Sequence, residues 1–152
     1  MVTSNWYNRY MQIFIASPWK NKESVERLTE ELTKRGYGVY SFLQSGANLL
    51  TGISIEDELA MFHKAVEDWE HDPRIRKIYE SEMAGLKASD AVILVNPAGH
   101  TSFVEAGMGC GMGKKVVAIG PVAKPEIFYL ACHRIYPDID AFLADLSSIL
   151  PL

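Results

Sequence analysis

Short apolar runs alternate along this chain with segments of helical spacing, and this alternation constrains the fold most. Gln12–Ala16 and Ala91–Val95 are wholly or almost wholly apolar, which is typical of strands buried on both faces. Strands that alternate with helices imply a mostly parallel sheet with a helical layer on each face. We therefore predict an α/β fold: one flavodoxin-like, doubly wound domain over residues 1–152, with five strands.

The remaining elements follow from the same pattern. Val25, Leu28 and Leu32 mark one face of a first helix, which Gly36 ends as its C′ residue. The loop 43–55 is long enough to be functional, and 126–130 is ambiguous between helix and strand. The pattern further predicts strands at 37–42, 114–119 and 133–136, and helices at 56–70, 75–87 and 139–149.

Composition excludes several classes of function. The net charge is −4 and no basic patch stands out, so we expect no nucleic acid polymer as a partner. No apolar run approaches the roughly 20 residues that span a bilayer, and residues 1–11 do not resemble a secretory signal. Cys110 and Cys132 suit a reduced thiol state rather than a disulfide framework. We expect a cytoplasmic protein without membrane association.

The segment 96–107 follows the strand Ala91–Val95 and opens a helix. It is predicted to put the Glu105 carboxylate in the first helical turn, at the sheet edge where ligands of such folds bind. Two interpretations of Glu105 coexist. Ser102 and Glu105 have the spacing of a capping box, in which Ser102 caps the helix. Alternatively, the helix macrodipole keeps Glu105 ionised, as a nucleophile requires.

Glycines recur in or just after this helix, at positions 107, 109, 111 and 113. Each interior glycine costs about 0.8–1 kcal/mol relative to alanine. Close packing on the sheet or on a partner subunit offsets that cost in one interpretation, and space for a ligand does so in the other. The spacing is neither a dinucleotide fingerprint nor a P-loop.

Several stretches, in order along nearly the whole chain, resemble the nucleoside 2-deoxyribosyltransferase family, whose superfamily includes nucleoside 5′-monophosphate N-glycosidases. The central match is Gly99–Gly107. The others are 13–21, 36–42, 88–97, 113–114 and 125–130. The resemblance implies that Glu105 attacks C1′ of a deoxyribose, that a covalent deoxyribosyl-enzyme forms, and that a second base or water takes the sugar. It implies no metal and no organic cofactor.

The same resemblance implies roles for other residues. Glu82 matches an acidic family position, usually Asp, near the sugar and base. Phe14 occupies a position where some members have a Tyr that orients the nucleophile, so either Ser17 or Ser102 substitutes or Glu105 is held less tightly. Trp19 matches an aromatic suited to packing on a nucleobase. The remaining predicted substrate-binding residues are Asn96, Gly99 and His100, and Lys20 and Asn21 are possible anion donors.

Three functions remain open at this stage. The first is base exchange on 2′-deoxyribonucleosides, with a small-molecule nucleoside or nucleotide and a free nucleobase as partners. The second is hydrolysis of the N-glycosidic bond of nucleoside 5′-monophosphates. The third is a non-catalytic nucleotide-binding sensor module. The resemblance also implies a homo-oligomer in which neighbouring subunits help to complete the site.

Overall fold

The computed structural model describes residues 10–44 and 69–152, which contain a parallel five-stranded sheet. Its order is β2-β1-β3-β4-β5, and every neighbouring pair is parallel. The bounds are β1 Gln12–Ala16, β2 Gly38–Tyr40, β3 Ala91–Val95, β4 Lys115–Ile119 and β5 Arg134–Tyr136. This is the flavodoxin-like order, in which the connection reverses between β1 and β3. The predicted fold class is confirmed.

Helices cover both faces of this sheet. They are α1 Lys22–Lys34, α2 Pro73–Ala88, α3 His100–Gly111 and α4 Ile139–Ile149, with short 3₁₀ helices at Trp19–Asn21, Trp69–His71 and Ile127–Ala131. The ambiguous segment 126–130 therefore falls mostly in a 3₁₀ helix. The predicted loop 43–55 and helix 56–70 lie largely outside the described residues.

Alternating residues of each strand pack into two separate apolar layers, one on each face of the sheet. Ile13 and Ile15 of β1 pack with Leu28 of α1 and Phe142 of α4. Their neighbours along β1, Phe14 and Ala16, pack on the opposite face with Leu86 of α2 and Ala106 of α3. Successive side chains of a strand point to opposite sides of the sheet. Since helices cover both sides, both sets of side chains are buried. The β3 sequence is accordingly apolar throughout, and β1 and β4 are apolar after their first residue.

Gly36 ends α1 as predicted. Its φ of +88° lies in the left-handed region, and its N–H donates to the carbonyl of Thr33. The N–H of Tyr37 donates to the carbonyl of Leu32 at 3.1 Å. These two bonds form a Schellman motif, which requires a residue that tolerates positive φ.

The glycines of α3 serve different purposes. A Cβ at Gly109 would lie 2.6 Å from Cγ2 of Val92 in β3, so this glycine lets the helix pack directly on the sheet. Gly113 has a φ of +75° just after the helix. A Cβ at Gly107 or Gly111 would meet nothing within 4 Å in the described structure. Close packing on the sheet therefore explains Gly109 but not Gly107 or Gly111.

We expect Gly109→Ala to lower the free energy of unfolding by about 1–3 kcal/mol, because the added methyl group overpacks the contact with Val92. Gly107→Ala is the matched control. It should raise the free energy of unfolding by about 0.5–1 kcal/mol, since alanine favours the helix and the position is open. Urea denaturation of both variants measures the difference. A Gly109→Ala protein as stable as the Gly107→Ala protein would contradict the packing argument.

Candidate active site

A cavity of about 500 Å³ lies at the carboxyl edge of the sheet, beside the β1–β3 switch point. The turn after β1 forms one wall, the first two turns of α3 form another, and α2 closes a third side. Most of the predicted site residues line it. These are Ser17, Trp19, Glu82, Gly99, His100, Ser102 and Glu105.

Phe14 and Asn96, also predicted to bind substrate, are not among the residues that line this cavity. Phe14 is 0% exposed, and its ring stacks on Tyr40 with centroids 5.5 Å apart. The Asn96 side chain donates to the carbonyl of Gly120 and accepts from the Tyr129 hydroxyl at 2.8 Å. Phe14 is therefore a core residue, and Asn96 fastens the loop before α3 to the segments that follow β4.

The start of α3 differs from the capping-box prediction. The helix begins at His100, its N-cap is Gly99, and no side chain caps it. The first backbone bond runs from the Phe103 N–H to the Gly99 carbonyl at 3.1 Å. Ser102 therefore already lies inside the first turn, where it is buried. Glu105 lies in the second turn rather than the first, so it is not the N3 residue of a capping box.

The ionisation of Glu105 also differs from the prediction. Burial, together with the nearby charge of Glu82, raises its pKa from 4.5 to about 8. The macrodipole acts mainly within the first turn of a helix, so it offers Glu105 little compensation. The expectation that the helix keeps Glu105 ionised is wrong for the ligand-free protein. At neutral pH the two carboxylates, here called the carboxylate pair, hold a proton.

Tyr40, at the end of β2, lies beside the carboxylate pair and was missed by sequence reasoning. Its hydroxyl is 2.8 Å from Oγ of Ser81 in α2. Burial, and to a lesser degree the charges of Glu82 and Glu105, raise its pKa to about 12. A Cβ at Gly85 would lie 2.6 Å from this ring, so glycine in α2 permits the contact. The glycine at position 85, inside the predicted helix 75–87, is the sequence signal that could have indicated this contact.

An aromatic surface forms part of the cavity wall. Trp19 stacks on Phe42 with ring centroids 4.7 Å apart and an interplanar angle of 25°, and both rings line the cavity. Aromatic faces of this kind bind flat heterocyclic rings. The position of Trp19 suits the nucleobase contact that was predicted for it.

Asn21 holds the cavity's two sheet-edge walls together. Its buried side-chain amide lies within 3.1–3.2 Å of the Ser17 hydroxyl and of the carbonyls of Val95 and Pro97. It therefore ties the turn after β1 to the end of β3. Since both amide hydrogens point to protein acceptors, Asn21 is not the free anion donor that the sequence suggested.

We expect Asn21→Ala to lower the free energy of unfolding by about 1–3 kcal/mol, because the buried Val95 carbonyl and the partly buried Pro97 carbonyl lose their donor. Lys20→Ala is the control, since this neighbouring side chain is exposed and should change stability by less than about 0.5 kcal/mol. Thermal unfolding of the two variants gives the comparison. Equal stabilities would show that the hydrogen bonds of Asn21 contribute nothing to the free energy of unfolding.

The solved structures that resemble this protein include two whose activity is named. A 2-deoxyribosyltransferase from Bacillus psychrosaccharolyticus superposes with a TM-score of 0.63 at 17% identity, over 89% of this chain and 89% of that chain. A CMP N-glycosidase from Clostridium botulinum gives a TM-score of 0.56 at 17% identity, over 90% of this chain and 98% of that chain. The chain shares their fold. By sequence, no family model and no curated protein matches it.

The described residues contain neither a group of side chains able to hold a metal ion nor a helix able to cross a membrane. Within residues 10–44 and 69–152, no group of three or more His, Cys, Asp or Glu side chains could hold a metal ion. Over the same residues, no helix has the length and apolar character needed to cross a membrane. The side chains that line the described cavity carry carboxylates, hydroxyls, an imidazole and aromatic rings.

Proposed function

We propose that this protein is an enzyme that moves the 2-deoxyribosyl group of a 2′-deoxyribonucleoside from one nucleobase to another. The observation that carries the proposal is the carboxylate pair, Glu82 and Glu105, facing one cavity at the switch point of the sheet. The shared fold with a 2-deoxyribosyltransferase supports it. A cavity of about 500 Å³ is of the size that takes small molecules.

The proton held by the carboxylate pair defines the reactive form. We infer that the two carboxylates titrate as a unit, so that the proton moves between them. The productive arrangement has Glu105 ionised as the nucleophile and Glu82 protonated as the acid. One proton on the pair is the state that the raised pKa of Glu105 favours at neutral pH.

The first chemical step then needs no other group. A Glu105 carboxylate oxygen bonds to C1′ while the C1′–N bond breaks and its electron pair goes to the base nitrogen. Glu82 gives its proton to the departing base. In the second step Glu82 takes a proton from the incoming base, whose nitrogen bonds to C1′ as the ester to Glu105 breaks. Two displacements retain the configuration at C1′.

A second candidate function is hydrolysis of a nucleoside 5′-monophosphate, and one observation favours it. The N-terminus of α3 lines the cavity without a side-chain cap, so its free N–H groups suit a phosphate. The shared fold with a CMP N-glycosidase is consistent with this function. Among the described residues, however, neither Lys nor Arg lines the cavity. The uncharged nucleoside is therefore our first choice.

One assay separates these functions. The protein is incubated with deoxyadenosine and free thymine, and separately with CMP and dCMP, and the products are separated chromatographically. New thymidine supports base exchange. Free base from a monophosphate, without exchange, supports the hydrolase. Absence of turnover with every substrate would contradict both enzymatic proposals and support the non-catalytic sensor.

A further inference from the structure

We propose that the hydrogen-bonded hydroxyls of Tyr40 and Ser81 position Glu82, the acid of the proposed reaction, by fixing the rotation of α2 on the sheet. These two residues, here called the hydroxyl pair, are positioning residues, since neither lines the described cavity. The inference rests on the proposed function and adds to it the contact that holds its acid in place. Three observations support it: the fixed position of the Tyr40 ring, the face of α2 that meets this ring, and the place of Glu82 on the neighbouring face.

The Tyr40 ring has a fixed position on the sheet. Tyr40 ends β2 and is the register partner of Phe14 in β1. The two rings stack with an interplanar angle of 13°. Phe14 is fully buried and belongs to the apolar layer that also contains Leu86 and Ala106. Because side chains in such a layer are closely packed, a ring stacked on Phe14 is a rigid support for a helix that contacts it.

One face of α2 contacts this ring at two points. A Cβ at Gly85 would lie 2.6 Å from the Tyr40 ring, so the ring occupies the space that glycine leaves. One helical turn earlier, the Ser81 Oγ lies 2.8 Å from the Tyr40 hydroxyl. Residues four positions apart lie on the same face of a helix. The two contacts, one of packing and one of hydrogen bonding, therefore fix the rotation of α2 about its own axis.

The direction of the Glu82 side chain depends on this rotation. Glu82 follows Ser81 in α2, and successive residues of a helix are turned by about 100° around its axis. With Ser81 turned toward Tyr40, Glu82 is turned toward the cavity, which it lines. Leu86, one turn after Glu82, is buried and lines the cavity as well. The rotation that the hydroxyl pair fixes therefore sets where the Glu82 carboxyl lies relative to Glu105.

The hydroxyl of Tyr40, and not its ring alone, gives this contact a direction. Apolar contact is non-directional, whereas a hydrogen bond weakens steeply away from its preferred angle. Burial raises the pKa of Tyr40 to about 12, so its hydroxyl keeps its proton at neutral pH, and either oxygen of the pair can donate. A displacement of about 1 Å from the productive geometry can cost on the order of a hundredfold in rate. Loss of the bond should therefore slow the chemical step and leave substrate binding unchanged.

Variants that lose a single hydroxyl test the inference in the exchange assay with deoxyadenosine and thymine. Tyr40→Phe keeps the ring and removes the hydrogen bond, and Ser81→Ala removes the same bond from the other side, so the test does not depend on one variant. Each should lower kcat by about tenfold or more and change KM by less than about twofold. The double variant should lose no more than either single variant, because both remove one interaction.

Tyr37→Phe is the matched control. The Tyr37 hydroxyl is also buried and donates to the carbonyl of Leu150 at 2.6 Å, but this residue belongs to the apolar layer on the opposite face of the sheet. Thermal unfolding should show a comparable loss of stability in Tyr37→Phe and Tyr40→Phe, since each loses one hydrogen bond. Only Tyr40→Phe should lose kcat.

A second background distinguishes the positioning of Glu82 from a general loss of structure. In Glu82→Gln the acid is absent, so adding Tyr40→Phe should lower the remaining kcat by less than about twofold. The same loss in both backgrounds, losses that multiply in the double hydroxyl variant, or a wild-type kcat in either folded single variant would overturn the inference while the proposed function stands. A wild-type protein that exchanges no bases would instead contradict the proposed function, and this inference with it.

Discussion

Replacing Glu105 with glutamine is expected to reduce kcat/KM for base exchange by at least about a thousandfold, since it removes the atom that bonds to C1′. Glutamine keeps the length and shape of the side chain but cannot form the ester. The chromatographic exchange assay measures the loss. Intact-mass analysis after incubation with a deoxynucleoside alone provides a second readout, in which a deoxyribosyl adduct forms on the wild-type protein and not on the variant.

The same substitution should leave the protein folded and make it more stable at alkaline pH. Glu105 has a raised pKa of about 8 in the folded protein against its ordinary value of 4.5. Between these values the folded state binds the proton that the unfolded chain releases, so stability falls as the pH rises through this window. Glutamine has no proton to lose. Glu105→Gln should therefore match the wild type near pH 4 and exceed its free energy of unfolding above about pH 8.

Activity and stability, measured together, distinguish a nucleophilic Glu105 from a merely structural one. A merely structural Glu105 would lose stability on substitution, and activity would follow stability. A buried nucleophile that costs stability gives the opposite pairing, a stable and inactive variant. Exchange at the wild-type rate in Glu105→Gln would exclude Glu105 as the nucleophile. Glu80→Gln serves as the control for removal of a carboxylate outside the cavity.

The sequence contained enough information for the sheet and for the edge where the cavity lies. Strands such as Ala91–Val95 were found because both of their faces are buried, and their apolar character is therefore unbroken. Residues that follow β1 and β3, such as Trp19 and Gly99, were placed at the cavity because the carboxyl ends of parallel strands share one edge. Gly36 was found because a Schellman motif requires positive φ.

What the sequence could not supply depends on contacts between distant elements. The helix after β3 begins at His100 rather than at Ser102, although the local sequence satisfies a capping box. The pKa of Glu105 depends on burial and on Glu82, which lies on another helix. Tyr40 reaches the carboxylate pair because Gly85 leaves room for its ring. None of these pairings has a fixed spacing along the chain.

The pH dependence of base exchange should follow the proton on the carboxylate pair. With a neutral base the reaction needs this proton, because Glu82 donates it to the departing base. The pKa of Glu105 is raised to about 8 by burial and by the charge of Glu82, and we assign this titration to a proton that the two carboxylates share. We therefore expect kcat/KM to be level near neutral pH and to fall about tenfold per pH unit above about pH 8. A profile that instead rises through pH 8 would mean that ionised Glu105 is sufficient and that no acid takes part.

Variants at Glu82 separate the acid from a simple neighbour effect. Glu82→Gln should lower kcat/KM for a neutral base by about a hundredfold or more and abolish the alkaline fall, because the group whose proton matters is gone. Removing the like charge also lowers the pKa of Glu105, although burial still raises it. Glu82→Asp keeps a carboxyl group and should retain the alkaline fall. Should Glu82→Gln keep both the wild-type rate and the wild-type profile, Glu82 is only part of the cavity wall, and the leaving base takes its proton from elsewhere.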